Sequence, residues 1–527
     1  MIAANPPHED GVQPGGGRPG GGQPDDGQPD SIQPDSIQRD GIQPDEARLG
    51  PGADTPGEDI AGGETDAAAG AEGIDEFALD AGYAGHPDGG TDPEHAGDPG
   101  HAGDAGDDSG TGGDTGREII DLTEPGEGLP PVIVTADDLA AAVARLAAGT
   151  GPVAVDAERA SGYRYGQKAY LVQLRRAGAG TVLIDPIACP DLSGLGAALA
   201  DVEAVLHAAS QDLPCLAEIG YQPKDLFDTE LAGRLLGYPR VALGTMLEEV
   251  LGFRLAKEHS AADWSVRPIP AEMLKYAALD VEVLVELRDA LAAQLAEQEK
   301  TEWARQEFAA VAAAPPTPPR ADPWRRTSGI HKVRTRRALA VVRELWQTRD
   351  EIARDADVSP RRILSDQAII DAARAEAGKP APTGRPQLDR ISGFHARNAR
   401  KYAERWAAAV TRVRQLTEAE LPEVAGVGTA PGPPPAHRWA ERDPAAAARL
   451  AAAREAIGAI AAERRLPVEN LLPPDALRRL AWEPPVPATQ ETISAALLGY
   501  GARRWQADLT SGPLADAFAK AATAPTG

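Results

Sequence analysis

The chain has 527 residues, a formal net charge of −27 and 2 cysteines. At about 150 residues per domain, this length predicts three or four domains. Cys189 and Cys215 are too few for a disulfide framework, and no apolar run reaches the ~18 residues that predict a membrane-spanning helix. The first residues also lack the basic and apolar segments of a secretory signal. We therefore expect a cytoplasmic protein with no membrane partner.

Most of the negative charge lies in a tail formed by residues 1–116. These residues hold 26 Asp and Glu against 3 Arg, so the rest of the chain has a net charge of only −4. Gly, Pro and Asp dominate the tail, and a five-residue unit that opens with Gln recurs in it. Such a composition buries too little apolar surface to offset chain entropy, which predicts disorder. The tail either increases solubility or competes with nucleic acid for basic surfaces.

Residues 117–300 show the pattern of a layered domain. Thr135 precedes a segment whose apolar residues recur at helical spacing, which predicts a helix. Short apolar runs bounded by turn residues then predict strands, and helical segments separate the later ones. The predicted strands cover residues 153–158, 170–174, 181–184, 204–208 and 226–227. The sequence thus predicts an α/β domain with a mixed sheet and flanking helices.

Two all-helical domains are predicted to follow this α/β domain. A Pro-rich stretch indicates a stiff linker over residues 301–330, before a helical bundle at 331–415. A second linker at 416–442 precedes a second, more divergent helical domain at 443–523. Residues 358–369 align with residues 466–477 at an offset of 108. This weak repeat predicts a duplicated helical domain.

Three clusters of polar residues carry the candidate chemistry. Asp156 and Glu158 end an apolar strand, and side chains two residues apart on a strand share a face. Asp212 opens the helix that follows a second strand. Tyr276 and Asp280 are four residues apart on a predicted helix, so they point the same way. Each residue alone is more simply a solvated acid or a packed aromatic, but together they predict an active site.

The four acids have a chemical reason to converge. In phosphodiester hydrolysis, water attacks a group that is already negative, and two divalent ions about 4 Å apart can hold the attacking and leaving oxygens. Mg²⁺ and Mn²⁺ prefer carboxylate oxygen. We expect Asp156 to bridge both ions, Glu158 and Asp280 to complete one site, and Asp212 to complete the other. Tyr276 would orient the attacking water.

These motifs resemble those of the ribonuclease D family. Asp-x-Glu, His-x4-Asp and Tyr-x3-Asp are the motif set of the 3′–5′ exonucleases with four acids and a tyrosine, and the segment from Asp263 to Pro268 adds to the likeness. The resemblance implies an RNase H-like fold, two divalent ions, and removal of nucleotides from the 3′ ends of tRNA or small structured RNA. It assigns metal ligation to Asp156, Glu158, Asp212 and Asp280, and water positioning to Tyr276.

The helical domains resemble HRDC domains, which are small bundles that bind nucleic acid. The first is the better match, through Leu345-Trp346 and Gly393-Phe394. Residues 320–420 hold 22 basic against 13 acidic residues, a surplus that suits phosphate contact. The alternative is a solvated helix face with the aromatic residues packed inside. The candidate nucleic-acid contacts in this domain are Arg397, Arg400, Lys401 and Arg405.

Three residues near the catalytic motifs allow two interpretations. His207, Lys257 and Arg267 either contact RNA or have structural roles, with a structural role favoured for His207. An ion pair with nearby Asp263 is the alternative for Arg267. One rival to the ribonuclease hypothesis is a DNA 3′–5′ exonuclease with the same metal site, because no motif shows contacts to the 2′-OH. The other is an inactive nucleic-acid-binding scaffold, although the intact acids argue against it. No obligate protein partner is inferred.

Overall fold

The structure is a computed structural model that describes residues 119–255, 262–376, 385–424 and 432–523. The predicted disordered tail, residues 1–116, lies outside these ranges. Within them, no helix combines the length and the apolar character needed to cross a bilayer.

Six strands form a mixed sheet in the order β2-β5-β4-β3-β6-β7, and β1 pairs with β8 in a separate small sheet. The central strands β3 and β4 are antiparallel, whereas β6 and β7 continue the sheet in parallel with β3. Helices cover the sheet, so the middle of β3 is fully buried and its sequence is continuously apolar. The strands are Ile120–Leu122 (β1), Val132–Ile133 (β2), Thr150–Arg159 (β3), Ala169–Ala177 (β4), Gly180–Ile184 (β5), Ala204–Leu206 (β6), Leu226–Asp228 (β7) and Phe253–Leu255 (β8).

The first of the helices around the sheet begins where the sequence predicts it, directly after Thr135. The Thr135 hydroxyl accepts a hydrogen bond from the Asp138 N–H at 3.2 Å and caps α1. The mixed sheet and its helices confirm the predicted α/β class, and α6 crosses β3, β4 and β5. These helices are Ala136–Ala148 (α1), Ser193–Ala198 (α2), Leu213–Glu218 (α3), Thr229–Leu236 (α4), Leu243–Met246 (α5), Ala271–Glu282 (α6), Leu284–Glu297 (α7) and Thr301–Ala312 (α8).

The two helical domains each contain a long helix followed by a short one. The first contains Arg336–Ala356 (α9), Pro360–Ile363 (α10), Asp366–Glu376 (α11), Arg385–Leu388 (α12), Arg397–Arg400 (α13) and Ala403–Gln415 (α14). The second contains Trp439–Arg442 (α15), Pro444–Arg464 (α16), Val468–Leu471 (α17), Pro474–Trp482 (α18), Gln490–Gly499 (α19) and Arg504–Thr523 (α20). The bounds of α9 and α10 recur in α16 and α17 at the offset of 108. Each long helix also ends at a left-handed residue, Asp357 (φ 48°) or Arg465 (φ 53°).

The first predicted linker is shorter than residues 301–330, because its amino-terminal part is helix α8. This helix buries Phe308 against the sheet domain, and its Trp303 ring stacks on Trp505 of α20 at 4.8 Å between ring centroids. The buried Lys300 ammonium donates hydrogen bonds to the carbonyls of Leu235 (2.7 Å) and Arg464 (2.9 Å). The second helical domain therefore shares one hydrophobic core with the sheet domain.

Candidate active site

Three predicted metal ligands lie together at the end of the central strand. Asp156, Glu158 and Asp280 each place one carboxylate oxygen so that all three oxygens lie within 4.8 Å of one another. The two residues of β3 share a face because side chains alternate along a strand, and α6 packs across β3 and brings Asp280 to the same point. Two oxygens on opposite sides of an octahedral Mg²⁺ are about 4.2 Å apart, so small shifts of these side chains would let the three oxygens share one such ion.

The fourth acid, Asp212, lies beside Asp156 rather than within this group of three oxygens. It precedes α3, is buried, and shares a hydrogen bond with the Asp156 carboxyl group. The guanidinium of Arg159 lies 3.3 Å from an Asp212 oxygen. Asp156 is thus the acid between two groups, with Glu158 and Asp280 on one side and Asp212 on the other. The bridging role expected of Asp156 stays a prediction.

The electrostatics of the four acids also suit bound cations. Burial raises the pKa of Asp156 and raises those of Glu158, Asp212 and Asp280 well above their usual range. The charges of the neighbouring acids raise the Glu158 pKa further, and Arg159 opposes this effect. A cluster of sheltered like charges is stabilised when divalent ions neutralise it. The geometry and the charge therefore agree on a metal centre.

Tyr276 reaches the metal centre from α6, one helical turn before Asp280. Its hydroxyl hydrogen-bonds to the Asp280 carboxyl group, and its ring lies 6.5 Å from the ring of the buried Trp264. Burial and the Asp280 charge raise the pKa of Tyr276, so the side chain is a neutral phenol at neutral pH. A fixed phenol beside the carboxylates can hold a water molecule through its hydroxyl.

Asp228 shapes the turn that delivers Asp212, and the sequence analysis did not single out this role. Its carboxylate accepts hydrogen bonds from the N–H groups of Ala208 (3.0 Å), Ala209 (2.9 Å), Glu230 (3.0 Å) and Leu231 (3.2 Å). Ala208 has a φ of 58°, a left-handed conformation that ends β6 two residues earlier than predicted. An Asp directly before a helical segment is the signal that reveals such a cap.

The contacts of His207 fit the structural role that the sequence analysis favoured over an RNA contact. Its Nδ1 lies 2.9 Å from the Thr229 hydroxyl oxygen, which in turn donates to the Leu206 carbonyl. Burial lowers the pKa of His207 to about 4, so its ring is neutral at physiological pH. A neutral ring that is hydrogen-bonded within the fold supports the packing of β6 against α4. It has no positive charge that could attract a phosphate group.

Two residues at the site were missed by sequence analysis. Gln173 pairs with Asp156 across β3 and β4, is fully buried, and donates its side-chain N–H to the Asp156 carboxylate. A single polar residue within an apolar strand is the available signal for it. Arg159 follows a register shift after Glu158 and donates to the Gln211 carbonyl at 2.8 Å. Bulges redirect side chains next to active sites, but the sequence shows no bulge here.

The remaining candidates near the catalytic motifs have different outcomes. Arg267 forms a two-pronged ion pair with Asp185 (2.7 and 2.9 Å) and donates to the Tyr170 carbonyl (2.8 Å). These contacts give Arg267 a structural role, although its acidic partner is Asp185 and not the neighbouring Asp263. Lys257 lies outside the described residues.

The four candidate nucleic-acid contacts of the first helical domain lie on or beside two helices. Arg397 and Arg400 lie on α13, Lys401 follows it, and all three are exposed. Arg405 on α14 instead forms ion pairs with Glu351 (3.1 Å) and Asp355 (3.5 Å) on α9. The aromatic residues pack inward, since Trp406 is buried and Tyr402 is partly buried.

Together, the sheet, the four acids and the tyrosine define a metal-dependent 3′–5′ exonuclease. Residues 131–296 match the family described as 3'-5' exonuclease, and residues 338–410 match the HRDC domain. Residues 432–518 match the family described as 3' to 5' exonuclease C-terminal domain. The second helical domain therefore resembles the first in its helices but matches a different family.

Similar proteins narrow this class further. The chain is 33% identical over 315 residues to Ribonuclease D of Acidiphilium cryptum, covering 58% of this chain and 77% of that protein. It is also 33% identical over 312 residues to Ribonuclease D of a Jannaschia species, covering 56% of this chain and 77% of that protein. The chain belongs to the ribonuclease D family, and it is a 3′–5′ exoribonuclease. Enzymes of this family use divalent metal ions.

Solved structures show the same fold. A protein from Bifidobacterium adolescentis is 37% identical, with a TM-score of 0.68 over 76% of this chain and 100% of that chain. Escherichia coli RNase D, whose description names an exoribonuclease involved in structured RNA processing, is 24% identical with a TM-score of 0.55 over 74% and 98%.

Proposed function

We propose that this enzyme trims the 3′ ends of transfer RNA or other small structured RNA, using two Mg²⁺ or Mn²⁺ ions. The observation that carries the proposal is the group of three carboxylate oxygens within 4.8 Å, flanked by Asp212 at Asp156. One ion would be held by Asp156, Glu158 and Asp280, and the other by Asp156 and Asp212. Bound there, the ions would supply Lewis-acid stabilisation of the attacking and leaving oxygens.

The protein's own side chains position the reactants. The Tyr276 hydroxyl, held against Asp280, would orient the water that attacks the last phosphodiester. Gln173 holds Asp156 from the neighbouring strand, so the bridging carboxylate keeps one orientation. Asp228 fixes the turn before Asp212 through the backbone N–H groups of Ala208 and Ala209. Rigid ligands of this kind require little rearrangement when metal and RNA bind.

The helical domains would capture the RNA upstream of its 3′ end. Exposed Arg397, Arg400 and Lys401 support this role, because clustered basic side chains neutralise phosphates. Arg405 supports it less, since its guanidinium is paired with Glu351 and Asp355. We do not assign RNA contacts to His207 or Arg267, because both side chains are bonded within the fold.

Digestion of 5′-labelled RNA and DNA strands of matched sequence, with Mn²⁺ and with or without a chelator, tests the proposal. The expected result is a ladder that shortens RNA from its 3′ end and stops when the chelator is added. A precursor of transfer RNA with a 3′ extension should shorten to the mature end. Faster shortening of DNA would favour the DNA exonuclease, and digestion that resists the chelator would refute the metal centre.

A matched pair of variants controls this experiment. Asp212→Asn should abolish digestion while RNA binding stays close to wild type. Asp201→Asn changes an exposed acid in the turn before β6 and should leave digestion unchanged. Loss of RNA binding in Asp212→Asn would point to misfolding instead of a lost metal ligand.

A further inference from the structure

A basic cavity opens in the first helical domain where it meets the sheet domain. Its volume is about 350 Å³, and its walls come from α10 and the segment around α13. Arg361, Arg362 and Arg397 line it together with Ser365 and Asn398. All five of these residues are exposed, and none of the described residues that line the cavity is acidic. Arginine side chains at a pocket suit a phosphate, because the guanidinium group matches phosphate oxygens in charge and geometry.

The cavity is held together by hydrogen bonds and by one glycine. Asn398 on α13 donates its side-chain N–H to the Arg362 carbonyl of α10 at 2.9 Å, which ties the two walls together. Gly393 precedes α13 with a φ of 97°, and a Cβ atom there would lie 2.7 Å from the Ala368 side chain. Only glycine meets both conditions, so this residue allows the α13 wall to lie against Ser365.

The cavity adjoins the loop that leaves the catalytic strand. Arg362 donates to the Gly162 carbonyl at 2.7 Å, and its guanidinium lies 4.0 Å from the centre of the Tyr163 ring. The Ser359 N–H donates to the Tyr163 carbonyl at 3.0 Å. Gly162 is only four residues after Glu158, so their Cα atoms are at most about 14 Å apart. The metal centre and the basic cavity are therefore neighbours across one short loop.

We propose that this cavity binds a backbone phosphate of the RNA substrate, a few nucleotides upstream of the bond that is cleaved. The proposal rests on the proposed function and names a subsite for it. Arg361 and Arg397 would contact the phosphate, whereas Arg362 would mainly hold the loop at Gly162 and Tyr163. Capture at this point fixes the distance from the helical domain to the 3′ end, so RNA long enough to fill both sites would be bound more tightly.

The test uses the full-length enzyme and RNA oligonucleotides that lengthen one nucleotide at a time from the dinucleotide. For the double variant Arg361→Gln/Arg397→Gln, kcat/KM should match wild type on the shortest substrates and fall about tenfold once the RNA reaches the cavity. The slope of log KM against log salt should also become shallower by about 0.7 for each lost phosphate contact. The effect should appear in KM, with kcat nearly unchanged.

Two controls separate a lost subsite from general damage. Arg374→Gln removes an exposed arginine of α11 in the same domain and should follow wild type at every length. Arg361→Lys/Arg397→Lys keeps the charges and should recover part of the loss. A loss that is equal at all lengths, or no loss at any length, would overturn the subsite.

Binding to an inactive protein distinguishes this proposal from the proposed function. In an Asp280→Asn background without metal, the two Arg→Gln changes should weaken binding of the long RNA about tenfold. That result would support the cavity even if the wild-type enzyme failed to digest RNA. Unchanged binding, with digestion of RNA intact, would reject the cavity and leave the proposed function standing.

Discussion

Replacing Asp280 by asparagine should have opposite effects on stability with and without metal. The Asp280 carboxylate has an oxygen within 4.8 Å of oxygens of Asp156 and Glu158. In the absence of metal these charges repel one another, and the neutral amide removes that repulsion. In the presence of metal the amide is a weaker ligand, so the variant should lose the stabilisation that metal gives the wild type.

The size of each effect follows from the geometry. Two unit charges no more than 4.8 Å apart repel by at least about 3.5 kcal/mol at an effective dielectric constant near 20. The pKa of Asp280 is raised, so proton uptake by the wild type already relieves part of this repulsion. We therefore expect the free energy of unfolding of the variant to exceed that of wild type by about 1–2 kcal/mol without metal. Metal at about a hundred times its dissociation constant would stabilise the wild type by about 2.7 kcal/mol, and the variant by clearly less.

Thermal unfolding with Mn²⁺ or with a chelator measures this crossover. At about 2–4 °C per kcal/mol, the variant should unfold a few degrees above wild type in chelator. In Mn²⁺ this advantage should disappear, and the variant should unfold at most a few degrees below wild type, because losing about 2.7 kcal/mol outweighs a gain of about 1–2 kcal/mol only narrowly. Asp201→Asn, an exposed acid away from the site, should shift neither curve. The electrostatic account of the site would be refuted if Mn²⁺ did not change the unfolding temperature of the wild type. It would also be refuted if the variant unfolded at a lower temperature than wild type both in Mn²⁺ and in chelator.

Three further changes probe single groups. Tyr276→Phe removes the hydroxyl at Asp280 and should lower kcat about 10²-fold or more, with KM and the Mn²⁺-dependent rise in unfolding temperature nearly unchanged. Arg159→Gln removes a cation 3.3 Å from Asp212. Calorimetric titration should then show Mn²⁺ bound several-fold more tightly, because the variant lacks a repulsion of about 1 kcal/mol between the guanidinium and the metal ion. Between about pH 7.5 and pH 5, wild type should lose up to about 2 kcal/mol more unfolding free energy than His207→Asn. The reason is that the unfolded histidine, with a pKa near 6.5, gains a proton that the buried ring, with a pKa of about 4, does not; urea unfolding at both pH values measures it.

Each of these expectations has a contrary result. A Tyr276→Phe defect confined to KM would place the hydroxyl on the substrate and not on the water. Mn²⁺ affinity that falls in Arg159→Gln would mean that the guanidinium supports the ligand Asp212 instead of competing with metal. If the free energy of unfolding changed with pH by the same amount in wild type and His207→Asn, the His207 ring would take up a proton in the folded state.

The sequence by itself determined the parts of the site that depend on local backbone geometry. Asp156 and Glu158 share a face because a strand alternates with a period of two, and Tyr276 and Asp280 align because a helix turns every 3.6 residues. The cap at Thr135 and the repeat of helices at an offset of 108 are local patterns of the same kind. Family resemblance then assigned roles to the acids before any distance between them was known.

Only the tertiary structure decided which distant residues meet. Arg267 pairs with Asp185, 82 residues away in the chain, although Asp263 is nearer in sequence. Arg159 turns toward Asp212 because of a bulge after Glu158, and Gln173 reaches Asp156 from the next strand. Such contacts depend on how whole strands, helices and domains pack, which involves residues spread across the chain. Local spacing cannot specify them, because it fixes the direction of a side chain along its own element and not what lies opposite.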